Sequence, residues 1–321
     1  MSEPIPAAEY VLWAYRLLLG REPEDLSVVH TWPDADRQEI VARFLASAEF
    51  QEKHEALGSW GNGRRAWFIS ELENGARFWV RGDDRFVSRG VAGGSYRPAE
   101  TAFVRRQVRR GMNVLDIGAN IGWFTVNMAM LAGPGGRVDA FEPREDVARY
   151  LRRTLAENKL DNVVVHRCAL AAANGNGAIA LDEQDLAPGA THLVTGDEPP
   201  PGTTTQQVAL RRLDSIVWGG VDFIKIAVEG AEKLVFDGAE IILSRDRPLI
   251  LCDINETLLQ RTSQISVADY LAYFADIDYE IRNLSPTGRC GERVSYDDIA
   301  ADGSLGVACV PAEKAADILL R

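Results

Sequence analysis

Hydrophobic positions along this chain follow two successive patterns. Residues 7–20 carry apolar side chains all round the helical period and stop at Gly20, so one short buried helix is predicted there. A second helix is predicted from about Thr31. Thr31 or Asp34 serves as its cap, Pro33 lies in the first turn, and Ile40, Val41, Phe44 and Leu45 share one face. The stretch LGSWGNGRR (57–65) breaks the pattern and reads as a linker. RFWVR and RFVSRGV, divided by the turn GDD, then read as the two strands of a hairpin.

From about Pro98 the period alternates. Helix 99–110 is followed by strand NVLDIGA, helix 122–132, strand RVDAFEP, helix 144–158 and strand VVVHRCAL. VDFIKIAV and PLILCDI continue the rule, with EKLVFDGAEIILSR between them. Such alternation predicts a parallel sheet covered by helices on both faces, with YEIRNLS and LGVACVP pairing antiparallel at its edge. Between the third and fourth strands, DLAPGATHLVTGDEPPPGTTT is too polar and broken to pack as core. No internal repeat is present. The expected architecture is α/β, a doubly wound Rossmann-like sheet preceded by a small all-helical domain. Its boundaries fall at 1–57 for the helical module, 58–98 for the linker and leading hairpin, and 99–321 for the sheet domain.

Composition narrows the function. A net charge of -12 argues against nucleic acid or an anionic membrane as partner, because both would be repelled. Arg105, Arg106, Arg109 and Arg110 fall at helical spacing and read as a solvated helix face. Cys168, Cys252, Cys290 and Cys309 show neither a CxxC pair nor metal-ligand spacing, which fits reduced thiols in a cytoplasm. The N-terminus lacks a basic stretch followed by an apolar core, and no run approaches a membrane span, so no membrane insertion is expected. The expected partner is a small-molecule or glycan acceptor. Oligomeric state is not set by the sequence, and a homo-oligomer is compatible with it.

The chemistry concentrates at the first turn of the sheet. LDIGANIGWFT (115–125) runs from a strand through glycines into a helix, which lets a ligand approach the backbone. Asp116, Gly118 and Gly122 make D-x-G-x-x-x-G, whereas a dinucleotide fingerprint needs G-x-G-x-x-G and a P-loop needs G-K-[ST]. This spacing disfavours a nicotinamide oxidoreductase. Asp116 disfavours a pyrophosphate and suits a cationic aminoacyl group. The second strand ends in FEP, placing Glu142 where a carboxylate accepts hydrogen bonds from a ribose diol; the plainer reading is that it caps the next helix. A ribose-binding acid, a glycine turn and no phosphate grip together suggest S-adenosylmethionine.

VLDIGANIGWFT, AFEPREDVARYLRRTLAENKL, NVVVHRCAL, the Leu213–Asp214 pair and DFIKIAVEGAE, in that order, resemble FkbM-type S-adenosylmethionine-dependent O-methyltransferases over residues 80 to 310. The resemblance implies methylation of a hydroxyl on a sugar, glycan or natural product. It implies that Asp116, Gly118, Asn120, Gly122 and Glu142 hold the cofactor, with Ala119, Trp123, Phe124 and Pro143 beside them. Cys168 and Ala169 would line the adenine. The first 55 residues, through YRLLLGREPE and FLASAEF, are similar to a helical module of the DUF4214 kind from bacterial glycan-related proteins; that implies an interaction or acceptor-docking role.

The family pattern I-K-I-D-x-E-G departs here at one place, because Ala227 stands where the aspartate is expected. A carboxylate there would serve as base, as acceptor of a substrate hydrogen bond, or as ligand of a hard cation. Ala227 is read as an inactivating replacement. The alternatives are a natural enzyme that uses other groups and a noncatalytic domain that still binds the nucleoside. Lys225, Glu229 and His192 are the remaining catalytic candidates. Glu229 and Glu232 are also placed to complement a helix dipole. CDINE sets Asp253, Asn255 and Glu256 at the same edge, where Asp253 and Asn255 would suit Mg2+; the competing reading is a turn with helix caps.

Overall fold

The structure, a computed structural model, describes residues 67–84, 86–182, 191–195, 203–302 and 304–319, with isolated positions between 11 and 47. The chain divides into two compact units, one of residues 1–68 with Arg81–Asp83 and one of Ile69–Val80 with Asp84–Arg321. In the first unit, described positions at 11–15 and 40–44 are helical, Val11 and Ile40 are buried, and Tyr15 meets the Phe44 ring edge-on at 4.9 Å. Most of YRLLLGREPE and FLASAEF, the segments that carry the helical-module resemblance, lies outside the described residues.

The chain next forms a hairpin of β1 (Trp67–Glu71) and β2 (Arg77–Arg81). RFVSRGV, expected as a strand, is instead the start of helix α1 (Val87–Ala92). The reason is Asp84, whose buried carboxylate accepts the backbone N–H groups of Phe86, Val87 and Ser88 and so satisfies the open donors of a helix start. Helix α2 (Pro98–Gln107) begins with proline in its first turn.

The doubly wound sheet follows. Its elements in chain order are β3 (Asn113–Ile117), α3 (Trp123–Ala132), β4 (Arg137–Phe141), α4 (Glu145–Glu157) and β5 (Val163–His166). A four-stranded sheet comes next, from β6 (Ala169–Leu170), β7 (Gly175–Asp182), β8 (His192–Leu193) and β9 (Thr203–Arg211). The chain returns through β10 (Phe223–Ile226), α5 (Glu232–Asp237), α6 (Glu240–Asp246), β11 (Leu249–Ile254), α7 (Glu256–Thr262) and α8 (Val267–Asp276). It closes with β12 (Tyr279–Leu284), β13 (Cys290–Arg293), α9 (Tyr296–Asp302), β14 (Leu305–Pro311) and α10 (Ala315–Leu319).

Strand order is β13-β12-β14-β11-β10-β3-β4-β5. The five strands from β11 to β5 are parallel, and β14 and β12 add antiparallel at the edge, as YEIRNLS and LGVACVP predicted. The central strands are apolar on both faces because both faces are covered; Leu115, Ile117, Ile224, Ile226 and Ile250 are at most 1% exposed. The chain winds one way from β3 to β5 and then returns to the opposite side of β3 at β10. The carboxyl ends of β3 and β10 are therefore the switch point of the sheet, where diverging connections leave a crevice.

In the four-stranded sheet, ordered β6-β9-β7-β8, β6 falls in the predicted strand VVVHRCAL, β8 and the start of β9 fall in the stretch expected as loop, and β7 had no predicted element. β7 and β9 pair antiparallel from Gly175↔Leu210 to Asp182↔Thr203, and Ile179, Leu193 and Val208 bury a small apolar cluster. Residues 183–190 and 196–202 of the polar connection lie outside the described residues. Among the described residues no helix is long and apolar enough to cross a membrane.

Candidate active site

The switch-point crevice is a cavity of about 410 Å³, within the roughly 300–1,000 Å³ common for small-molecule sites. Neighbouring parallel strands lie about 4.8 Å apart, so sheet order sets the order of the wall. It runs from Asp253 on β11, through Ala227 after β10 and Gly118 after β3, to Glu142 after β4 and Cys168 after β5.

On the β3–β5 side, Gly118, Ala119, Asn120, Trp123 and Phe124 line the cavity, as do Glu142, Pro143, Cys168 and Ala169. Gly118 and Ala119 both donate their N–H groups to the Phe141 carbonyl at 3.0 Å, which folds the turn back onto β4. Glu142 is 8% exposed. Its Oε2 accepts from Asn120 N and its Oε1 from Arg144 N, both at 2.9 Å. Burial raises its pKa to about 7, against these backbone hydrogen bonds, which lower it. Asn120 sits at φ 49°, and its Oδ1 is buried without a hydrogen-bond partner among the described residues. A buried acceptor of this kind asks for a donor from a ligand.

Asp116 and Gly122 fall elsewhere. Asp116 is 0% exposed and off the cavity wall; Thr125 Oγ1 donates to it at 2.5 Å and Lys225 Nζ pairs with it at 3.3 Å. Thr125 and Lys225 hold this carboxylate from within the protein, while its Oδ1 is buried with no hydrogen-bond partner among the described residues. Gly122 (φ 96°) is a packing glycine, since a Cβ there would stand 2.5 Å from Leu151 Cδ1 on α4.

On the β10–β11 side, Lys225, Ala227, Glu229 and Asp253 line the cavity, and His192 of β8 joins them. Lys225 is tied down, donating to the Gly118 carbonyl at 3.1 Å and lying 5.2 Å from the centre of the Phe124 ring. Glu229 takes a left-handed backbone (φ 53°), and its half-buried carboxylate has no hydrogen-bond or ion-pair partner among the described residues. Burial raises its pKa, and the nearby Asp253 charge adds to the rise.

The Mg2+ reading fails on its donors. The Arg97 guanidinium takes both Asp253 oxygens, and Asn255 Oδ1 caps α7 by accepting from Leu258 N at 3.0 Å. Glu256 lies in the first turn of that helix. Among the described residues no group of three His, Cys, Asp or Glu side chains is arranged to hold a metal. DINE is therefore a turn with a helix cap.

Glu232 opens α5 with its carboxylate turned inward, 3% exposed, accepting from Val228 N at 2.9 Å. Burial raises its pKa from 4.5 to about 7. A carboxyl so shifted favours folding while protonated; its contribution is complete below about 4.5 and is lost as the pH rises through about 7. Glu232→Gln keeps the acceptor oxygen and never ionises. It is expected to be more stable than the parent at pH 8 by on the order of 1–3 kcal/mol, the gap shrinking towards pH 5. Denaturant unfolding at the two pH values measures this.

Phe86, Tyr96 and Arg97 also line the cavity and were not foreseen. They lie in the segment before the glycine turn, where an exposed Phe and an Arg-Pro pair signal only the start of a helix.

A family model described as the methyltransferase FkbM domain matches residues 116–285. No curated protein matches the chain. Among solved structures, the chain is similar to the methyltransferase FkbM of Methylobacillus flagellatus at 16% identity and a TM-score of 0.42, covering 92% of this chain and 57% of that one. It is similar to an rRNA methylase of Streptococcus thermophilus at 13% identity and a TM-score of 0.39, covering 67% and 96%. A SAM-dependent methyltransferase of Aquifex aeolicus matches at 15% identity and a TM-score of 0.35, covering 66% and 88%.

Proposed function

This chain belongs to the FkbM family of S-adenosylmethionine-dependent methyltransferases, and from that premise we propose that it transfers a methyl group to a hydroxyl oxygen of a sugar, glycan or natural-product acceptor. The observation that carries this reading is one cavity with two unlike walls. One wall offers Glu142 and Asn120 Oδ1, the other the carboxylate of Glu229, and among the described residues neither Asn120 Oδ1 nor the Glu229 carboxylate has a hydrogen-bond partner.

The cofactor fits the first wall. Each Glu142 oxygen accepts one backbone N–H and keeps lone-pair capacity for a ribose hydroxyl, and Asn120 Oδ1 is open to a donor. Cys168 and Ala169, one strand further on, offer an apolar slot for a base. When bound, the cofactor supplies an activated methyl on a sulfonium that carries its own leaving group. The protein then has to align the acceptor, exclude water and take one proton. Glu229 is placed for the proton: it is half-buried, unpaired and held by the turn after β10, and its raised pKa makes it a stronger base than a solvated glutamate. Of the accounts of Ala227, this favours a natural enzyme that uses another group.

Ala227 itself favours a second reading, a noncatalytic domain that keeps the nucleoside. A methyl-transfer screen of saccharides and natural-product alcohols with isotope-labelled cofactor separates the two, because binding without transfer to any acceptor would support the second. Glu142→Ala is expected to weaken cofactor binding by roughly 10- to 50-fold in calorimetry, the loss of charge-assisted hydrogen bonds. In the parent, affinity is expected to fall as the pH drops through about 7 and the carboxylate protonates. In Glu142→Gln that pH dependence should be absent.

A further inference from the structure

Arg97 takes φ 47° and ψ 66° immediately before Pro98. A residue ahead of proline is driven towards extended backbone, and a left-handed residue with a Cβ costs roughly 1–2 kcal/mol. Helix α2 gains no cap from it, since the Arg97 side chain makes no capping hydrogen bond. Strain held at a cavity wall points to use. What the strained backbone provides is a placed guanidinium. Nη1 lies 3.3 Å from Asp253 Oδ1, Nη2 lies 2.5 Å from Oδ2, and Nη1 also reaches Glu100 Oε1 at 3.0 Å.

The pair is not sealed. The Arg97 side chain is 39% exposed and that of Asp253 is 22% exposed, and both line the cavity on the side away from Glu142. Phe86 lines the same cavity with 67% of its surface exposed, on a backbone fixed by the Asp84 carboxylate. Asp253 and Glu100 offset the Arg97 charge, so the pair does not offer an unopposed cation to an anion. Each Asp253 oxygen keeps a lone pair beyond its Arg97 bond, and the bonds to Asp253 and Glu100 use three of the five Arg97 N–H donors. This neutralised pair is a poor cation ligand but offers a hydroxyl a donor edge next to an acceptor edge. Neighbouring hydroxyls of a diol need that arrangement, since one can accept while the next donates.

We propose that Arg97 and Asp253 form the acceptor subsite and grip a neutral vicinal diol, Arg97 donating to one hydroxyl and Asp253 accepting from its neighbour, with the Phe86 ring against the carbon-bound face. This rests on reading the cavity as the methyl-transfer site, but it concerns recognition and is tested by binding. The competing account is a staple between α2 and β11 that never touches the acceptor.

The test uses the full chain loaded with S-adenosylhomocysteine and saturation-transfer NMR titrations of methyl β-D-glucopyranoside and of its anionic counterpart, methyl β-D-glucuronide. The parent is expected to bind the neutral probe saturably and the anionic one about tenfold more weakly. Arg97→Met should weaken the neutral probe by about tenfold, Arg97→Lys should restore part of it, and homocysteine-cofactor affinity should stay within about twofold. Asp253→Asn, nearly isosteric, should shift the preference towards the glucuronide by about tenfold, because it leaves the Arg97 charge less opposed. A staple would change melting temperature without changing that preference.

The proposal is overturned if the parent binds no neutral probe or prefers the glucuronide, or if both variants leave the preference unchanged. Labelled methyl transfer to the neutral probe, run on the same samples, separates the two levels. Binding that depends on Arg97 without transfer upholds the subsite and counts against the reaction; transfer with an unaltered KM in Arg97→Met upholds the reaction and overturns the subsite.

Discussion

Glu229→Gln is expected to lower the rate of methyl transfer by roughly 10²- to 10³-fold, the range for removing a positioned general base. Glutamine preserves shape and hydrogen bonding but cannot take the hydroxyl proton. Glu229 makes no contact in the Glu142 wall, so cofactor affinity measured by calorimetry should stay within about twofold of the parent. The rate should fall with acid in the parent, as the Glu229 carboxylate protonates at a pH above the usual carboxylate range, and this limb should vanish in the variant. Ala227→Asp gives the complementary test. If position 227 is an inactivated base, aspartate there should raise the rate and make Glu229→Gln less damaging. If Glu229 is the working base, the added charge at the same strand end should bring no gain. An unchanged rate in Glu229→Gln would remove Glu229 from the chemistry and return attention to His192.

What could be read beforehand follows from which forces act locally. The alternation of β3, α3, β4, α4 and β5 was legible because strands buried on both faces are continuous apolar runs, and of the helices between them α3 is apolar nearly all round while α4 keeps an apolar stripe of Val147, Ala148, Leu151 and Leu155. The glycine turn and Glu142 were legible because a close backbone approach and a strand-end carboxylate leave marks in a few adjacent residues. α1 was misread because its start depends on Asp84, one side chain that takes three backbone donors, while the rest of RFVSRGV has strand-like composition. β7 to β9 were lost because Thr and Gln facing outward, with glycine at the start of β7, mask an alternation that only cross-strand pairing reveals.

The site was legible in part for the same reason. Asp116 carries the family's motif, yet its buried contacts are with Thr125 and Lys225, which the sequence does not place around it. The Asp253 carboxylate looked free for a cation until Arg97, 156 residues earlier, was found to hold it. Ion pairs of such sequence separation are created by topology and have no periodic signature. Arg97 and Phe86 were missed because they belong to the wall only once α1 and α2 are folded against the strand ends.

Gly118→Ala tests the geometry on which both walls depend, and it is expected to destabilise the protein by roughly 3–5 kcal/mol. Gly118 sits at φ 78°, and an added Cβ would stand 2.0 Å from the Ala227 carbonyl oxygen. That oxygen cannot retreat easily. Ala227 N is bonded to the Ile117 carbonyl at 3.0 Å, and β10 is in parallel register with β3 from Phe223↔Val114 to Ile226↔Ile117. Gly118 is held from the other side by its own bond to Phe141. The methyl group therefore forces apart the two central strands at the switch point, where Lys225 also donates to the Gly118 carbonyl. With about 2–4 °C lost per kcal/mol for a domain of this size, the melting temperature should drop by roughly 6–20 °C. Gly111→Ala is the control. Its φ is 85° and nothing lies within 4 Å of the added Cβ, so only the backbone strain of roughly 1–2 kcal/mol applies. Equal losses in the two variants would mean that left-handed backbone alone accounts for the effect, and that contact between the β3 and β10 ends does not set the shape of the cavity.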